Sequence, residues 1–145
     1  MSFPQDFVDF LLNDRLIDTY DWRTDNVAIR DMLNWPAEGL IFDVENNALW
    51  LTEWGERPGL AVERAEIVQK AMAEAPKLIP VHSHRYLPAE PLVSGNPVFS
   101  VYQSDIIVYG ADLQDYVRRE LDASLPLPSL RAIRRIRFWS DFLES

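Results

Sequence analysis

At 145 residues and 16.8 kDa the chain is one domain long, and 48% hydrophobic residues supply enough apolar material for a core, which excludes a disordered chain. With no cysteine there are no disulfides, thiol nucleophiles or thiolate zinc sites, and no run approaches the ~18 uncharged apolar residues of a membrane span. The formal charge of −9 lies wholly in residues 1–66, where 14 acids face five arginines, while residues 67–145 hold nine of each sign; direct nucleic-acid binding is disfavoured and a basic partner suits the balance better.

In chain order, the opening segment reads as a helix. Pro4 suits a first helical turn, and Phe3, Phe7, Phe10 and Leu11 share a face. The stretch MSFPQDFVDF lacks the basic and apolar regions of a signal peptide, so a cytoplasmic location is expected. A second helix is predicted over Asp25–Leu33, capped by Thr24 and closed by Trp35-Pro36. Next, Leu40–Val44 and Ala48–Leu51 read as a hairpin around Glu45-Asn46-Asn47, followed by a loop at Trp54–Gly59. Residues 60–75 give the clearest helical period, and Pro76 stops it. Leu78–Val81 reads as a strand and Tyr86–Pro97, with three prolines, as a loop. Val98–Tyr102 and Ile106–Tyr109 form a second hairpin, Gly110 ends it, and Asp112 caps a helix carrying Leu113, Tyr116, Val117 and Leu121. After the Leu125–Pro128 connector, Ser129–Glu144 looks helical. Strands clustered as hairpins, with helices around them, predict an α+β fold with a mainly antiparallel sheet in a single domain. Residues 1–35 supply N-terminal helices and residues 123–145 a C-terminal helical segment.

Catalytic signatures are missing: there is no glycine-rich phosphate loop, no Gly-x-Ser-x-Gly and no His-Glu-x-x-His. His82 and His84 point to one face if both lie on a strand, but a metal needs a further ligand such as Glu90 or Asp105. Hydrogen bonding is the commoner role for such a pair, so no metal and no cofactor are expected. Asp105 reads as a turn aspartate, or else as a carboxylate paired with Arg85. Trp50 and Tyr109 are expected in the core, while other aromatics near Trp54 offer anchors for a recognition surface. The four arginines of residues 131–137 are expected to fold back on the acidic N-terminal half.

Two stretches carry a resemblance. Leu78-Ile79-Pro80-Val81-His82-Ser83-His84-Arg85-Tyr86-Leu87-Pro88, with residues 96–110 (NPVFSVYQSDIIVYG), is similar to the SUKH superfamily, which includes the fungal cell-wall-synthesis regulator and many bacterial proteins. Trp54-Gly55 matches the family's tryptophan-glycine step, and the resemblance spans roughly residues 36–122. It implies an α+β fold with a mainly antiparallel sheet and flanking helices. It also implies a non-enzymatic protein-binding module, in bacteria an immunity protein that neutralises a cognate toxin domain such as a nuclease. No catalytic residues carry over. An acidic face can occupy the cationic surface with which a nuclease holds phosphate. Asp21, Asp25, Asp43, Glu45, Glu53 and Glu56 are candidates for that face, and Trp54, His84, Arg85 and Tyr86 for its neighbouring contacts. The competing readings are a regulatory or scaffold protein of the same fold, and a metal-dependent enzyme built on the His82/His84 region.

Overall fold

The computed structural model describes residues 1–13, 17–24 and 26–143. Among these, α1 (Gln5–Asn13), α2 (Val27–Asn46) and α3 (Ala61–Glu74) precede strands β1 (Leu78–His82), β2 (Arg85–Pro88), β3 (Val98–Tyr102) and β4 (Asp105–Gly110), and α4 (Leu113–Leu121) follows. The strands form one antiparallel sheet in the order β1-β2-β3-β4, so the class is α+β. No helix among the described residues is long and apolar enough to cross a membrane.

The sheet is buried on both faces, and the two-residue period of its strands sorts side chains between two cores. Leu78, Tyr86, Phe99, Val101, Ile106 and Val108 face α2, α3 and the C-terminal segment, where they meet Leu40, Val44, Val68, Ile136 and Trp139. Ile79, Val81, Leu87 and Val98 face the other way, against Phe7 and Phe10 of α1 and Leu113, Tyr116 and Val117 of α4. Pro80 is tolerated because β1 lies at the sheet edge.

The largest departure from expectation is α2. The hairpin predicted at Leu40–Leu51 does not form: one helix runs from Val27 to Asn46, through Pro36. Its cap is Asn26, whose side chain accepts from the N–H groups of Ala28 and Ile29, and not Thr24. The predicted start at Asp25 falls outside the described residues. Leu40 and Val44 are four apart and both 1% exposed, which is helical spacing on a buried stripe. Pro36 should break such a helix, because it has no N–H for the Met32 carbonyl. Here the hydroxyl of Tyr86, on β2, donates to that carbonyl at 2.6 Å. The sheet thus supplies the hydrogen bond that the proline removes. The Glu45-Asn46-Asn47 stretch ends the helix instead of turning a hairpin, with Ala48 left-handed (φ 59°) and the Leu49 N–H returned to the Asp43 carbonyl.

The predicted loop from Tyr86 begins as strand β2, which pairs with both β1 and β3. His82 ends β1, whereas His84 lies in a turn after left-handed Ser83 (φ 51°), so the two imidazoles do not share a strand face. The C-terminal segment is not an α-helix but two short 3₁₀ turns, Leu130–Ala132 and Trp139–Phe142; Glu144, the predicted end, lies outside the described residues. Among the described residues its arginines meet no acid of the N-terminal half. Arg134 donates to the Ser94 carbonyl and Asn96, Arg137 pairs with Glu90, and Arg135 pairs with Asp141.

The predicted Asp112 cap forms, its carboxylate accepting from the Asp115 N–H at 2.8 Å. Burial alone would raise the Asp115 carboxyl, but Arg119, the Ala111 N–H and Arg118 overcome it and hold the group at about 2. The folded value lies below the ordinary aspartate value of about 3.9, so the stabilisation is complete above that pH and is lost as pH falls toward the folded value. Urea unfolding at descending pH should show this loss, and Asp115→Asn should show a weaker acid dependence over the same window.

Candidate functional site

The described residues hold no group of three or more His, Asp or Glu side chains placed to bind a metal ion. Around the turn of the β1–β2 hairpin the polar groups are committed to one another. His82 Nδ1 lies 2.7 Å from the Asp18 carbonyl, which can only accept, so that nitrogen carries the proton. Arg85 Nη1 lies 2.8 Å from His84 Nε2. A guanidinium only donates, so Nε2 offers its lone pair and Nδ1 carries the proton toward Ser83 Oγ, 3.1 Å away. Burial, and then the Arg85 charge, lower the His84 pKa, and Glu120 opposes them only in part. The imidazole is therefore neutral at neutral pH, with its basic lone pair held by Arg85 and withheld from the Ser83 hydroxyl.

Arg85 does not pair with Asp105. Its guanidinium reaches Ser100 Oγ at 3.0 Å and Glu120 at 3.4 Å, and lies 4.0 Å from the Tyr109 ring centroid. The strand register explains this, since Arg85 opposes Ser100 while Asp105 opposes Tyr102 at the far end of β3. Tyr86 is fully buried, its hydroxyl donated to α2 and its pKa raised by burial. A surface contact through Tyr86 is ruled out.

The predicted acidic face is only partly free. Asp43 is 4% exposed and accepts from the N–H and hydroxyl of Ser104 and from the Asn47 amide. Burial opposes its ionisation, yet these donors keep its pKa below the ordinary value. It latches α2 to the β3–β4 turn and is no part of a docking face. Glu45 is taken by Arg64 through two hydrogen bonds of 2.7 and 2.6 Å, and Asp21 pairs with Arg23. Asp25 falls outside the described residues. Glu53 and Glu56 are exposed, with no hydrogen-bond or ion-pair partner among the described residues.

Glu53 and Trp54 line a groove of 540 Å³ between the 3₁₀ turn Thr52–Trp54, the end of α3 and the C-terminal turn. Trp50 and Trp54 meet edge to face at 5.1 Å between ring centroids, and the Trp50 indole N–H donates to the Gly55 carbonyl at 2.8 Å. Gly55 sits at φ 81°, which a side chain would resist, and the tryptophan-glycine step thereby orients both rings. Phe138 and Phe142 line it as well, their centroids 5.4 Å apart. Phe138 holds φ 67°, a strained conformation for an aromatic residue. Trp50, expected in the core, is only half-buried and lines this groove, and Tyr109 is half-buried beneath Arg85.

The groove's charges are unequal. Arg137 is engaged by Glu90 and Asp141 by Arg135, which leaves Glu53 and Glu74 on its walls as carboxylates with no partner among the described residues. His84 and Arg85 do not line it. Glu74, Phe138, Asp141 and Phe142 were not among the expected site residues. For Phe138, Asp141 and Phe142 the available signal was their i, i+3, i+4 spacing, which would put them on one face of a helix; Glu74 carried no such signal. Comparison of the chain with protein-family models, with curated proteins and with solved structures finds no match.

Proposed function

We propose that this chain is a binding protein with no catalytic role of its own, acting in the cytosol, and that its surface around residues 52–56 docks on a basic face of another protein. The observation that carries this reading is the coincidence of unpaired Glu53 with the half-exposed Trp50–Trp54 pair on one concave surface. Tryptophan anchors contribute heavily to interfaces, and unpaired carboxylates steer a basic partner into register. The SUKH resemblance supplies the partner class: a toxin domain, such as a nuclease, whose phosphate-holding cations meet Glu53 and Glu56. Neutralisation then amounts to covering that surface.

The test is co-expression with each toxin-like domain found in the gene's neighbourhood, scored as surviving cells. The unaltered chain is expected to protect. Glu53→Lys combined with Glu56→Lys should cost at least about tenfold in affinity, from reversing two interfacial charges, with a matching loss of protection and an unchanged circular-dichroism spectrum. Full protection by the double variant overturns the acidic docking face, and failure of the unaltered chain to protect overturns the toxin reading.

A further inference from the structure

We propose that the groove between Trp50, Trp54 and Phe138 is a subsite for a single arginine side chain of the partner protein. This rests on the protein-binding reading above and names what the centre of that surface recognises.

The argument begins with charge. Of the charged groups on the groove walls, Asp141 and Arg137 are already paired, to Arg135 and Glu90 respectively. Glu53 and Glu74 come from two different elements, the 3₁₀ turn and the last residue of α3, and neither meets a cation among the described residues. The uncommitted charge of the concavity is therefore negative. The chain's own nearest candidate occupant, Arg137, is held on Glu90 by hydrogen bonds of 2.6 and 3.2 Å.

The walls narrow the choice of cation. Aromatic faces attract cations through their quadrupole, and the indole does so best. A divalent metal ion would seek several oxygen ligands, whereas this groove offers two pairs of aromatic rings and two carboxylates from separate elements. A guanidinium fits better than an ammonium. It is planar, it stacks on rings, it is weakly hydrated, and its fork of donors can bond a carboxylate while its face lies on an indole. The volume of 540 Å³ exceeds one side chain, so neighbouring backbone of the partner enters with it.

The test uses three blocked tripeptides, acetyl-Ala-X-Ala-amide with X as arginine, lysine or citrulline, titrated into the full chain. The readout is the indole N–H resonances, with Trp50→Phe and Trp54→Phe spectra for assignment. The arginine peptide is expected to move the Trp50 and Trp54 signals saturably and to leave those of Trp22, Trp35 and Trp139 in place. Citrulline has nearly the same shape without the charge and should bind at least about fivefold more weakly, with lysine in between. Glu53→Gln and Glu74→Gln, both at exposed positions, should each weaken the arginine peptide by about threefold or more. Equal binding of citrulline, shifts at the other indoles instead, or no saturation by ~10 mM peptide overturns the proposal. If the peptides fail while Glu53→Lys/Glu56→Lys still abolishes protection, the arginine subsite falls and the docking face stands. If the arginine peptide binds as expected while protection ignores both reversals, the docking reading falls instead.

Discussion

Tyr86→Phe is expected to destabilise the protein by about 1–3 kcal/mol, although it removes one oxygen atom and leaves the ring in place. The loss arises on α2. Without the Tyr86 hydroxyl, the Met32 carbonyl has neither the amide that Pro36 lacks nor the substitute supplied by the sheet. The same logic gives a second measurement. Pro36→Ala restores an N–H opposite Met32, so Tyr86→Phe should cost less in that background, with a coupling of about 1 kcal/mol or more by urea unfolding. An equal loss in both backgrounds would show that the hydroxyl does not replace the helical bond.

A larger effect is expected from Gly110→Ala. A methyl carbon at this position would lie 2.5 Å from Cβ of Tyr116, 2.6 Å from its Cα and 2.7 Å from its backbone nitrogen. Two of those atoms are helix backbone and cannot swing aside. Strand β4 and helix α4 must part, which opens the core around fully buried Tyr116. About 3 kcal/mol or more is expected, at the upper end of overpacking costs, with a matching drop in Tm. Gly59→Ala is the control, since a Cβ there meets nothing within 4 Å. Comparable losses at the two positions would mean that the close approach at Gly110 is not what fixes the glycine.

The elements legible in the sequence were those whose signals are local. The period of residues 60–75 became α3, the Asp112 cap opened α4, and the alternation around Gln103-Ser104 became the β3–β4 hairpin. What failed depended on distant partners. Leu40–Val44 is a short apolar run that suits a strand or a buried helix equally, and Trp35-Pro36 reads as a stop unless a donor 50 residues later is known to fill the gap. The same holds at the candidate site. Glu53 and Trp54 could be picked out from the tryptophan-glycine step, but Asp43 and Glu45 looked equally acidic until Ser104 and Arg64 were seen to claim them. Phe138 and Phe142 were hidden because an arginine-rich run suggested a helix, where the chain instead takes a 3₁₀ turn beside a left-handed phenylalanine.

A helix is ordinarily the most self-sufficient part of a fold, closed by its own neighbours within about a microsecond. α2 has lost that independence, because its central turn is sealed by a group 54 positions downstream. Helix and β2 must consequently arrive together. A fragment ending before the first hairpin should show little stable α2, and exchange of its mid-helix amides should follow global opening of the molecule and not local fraying.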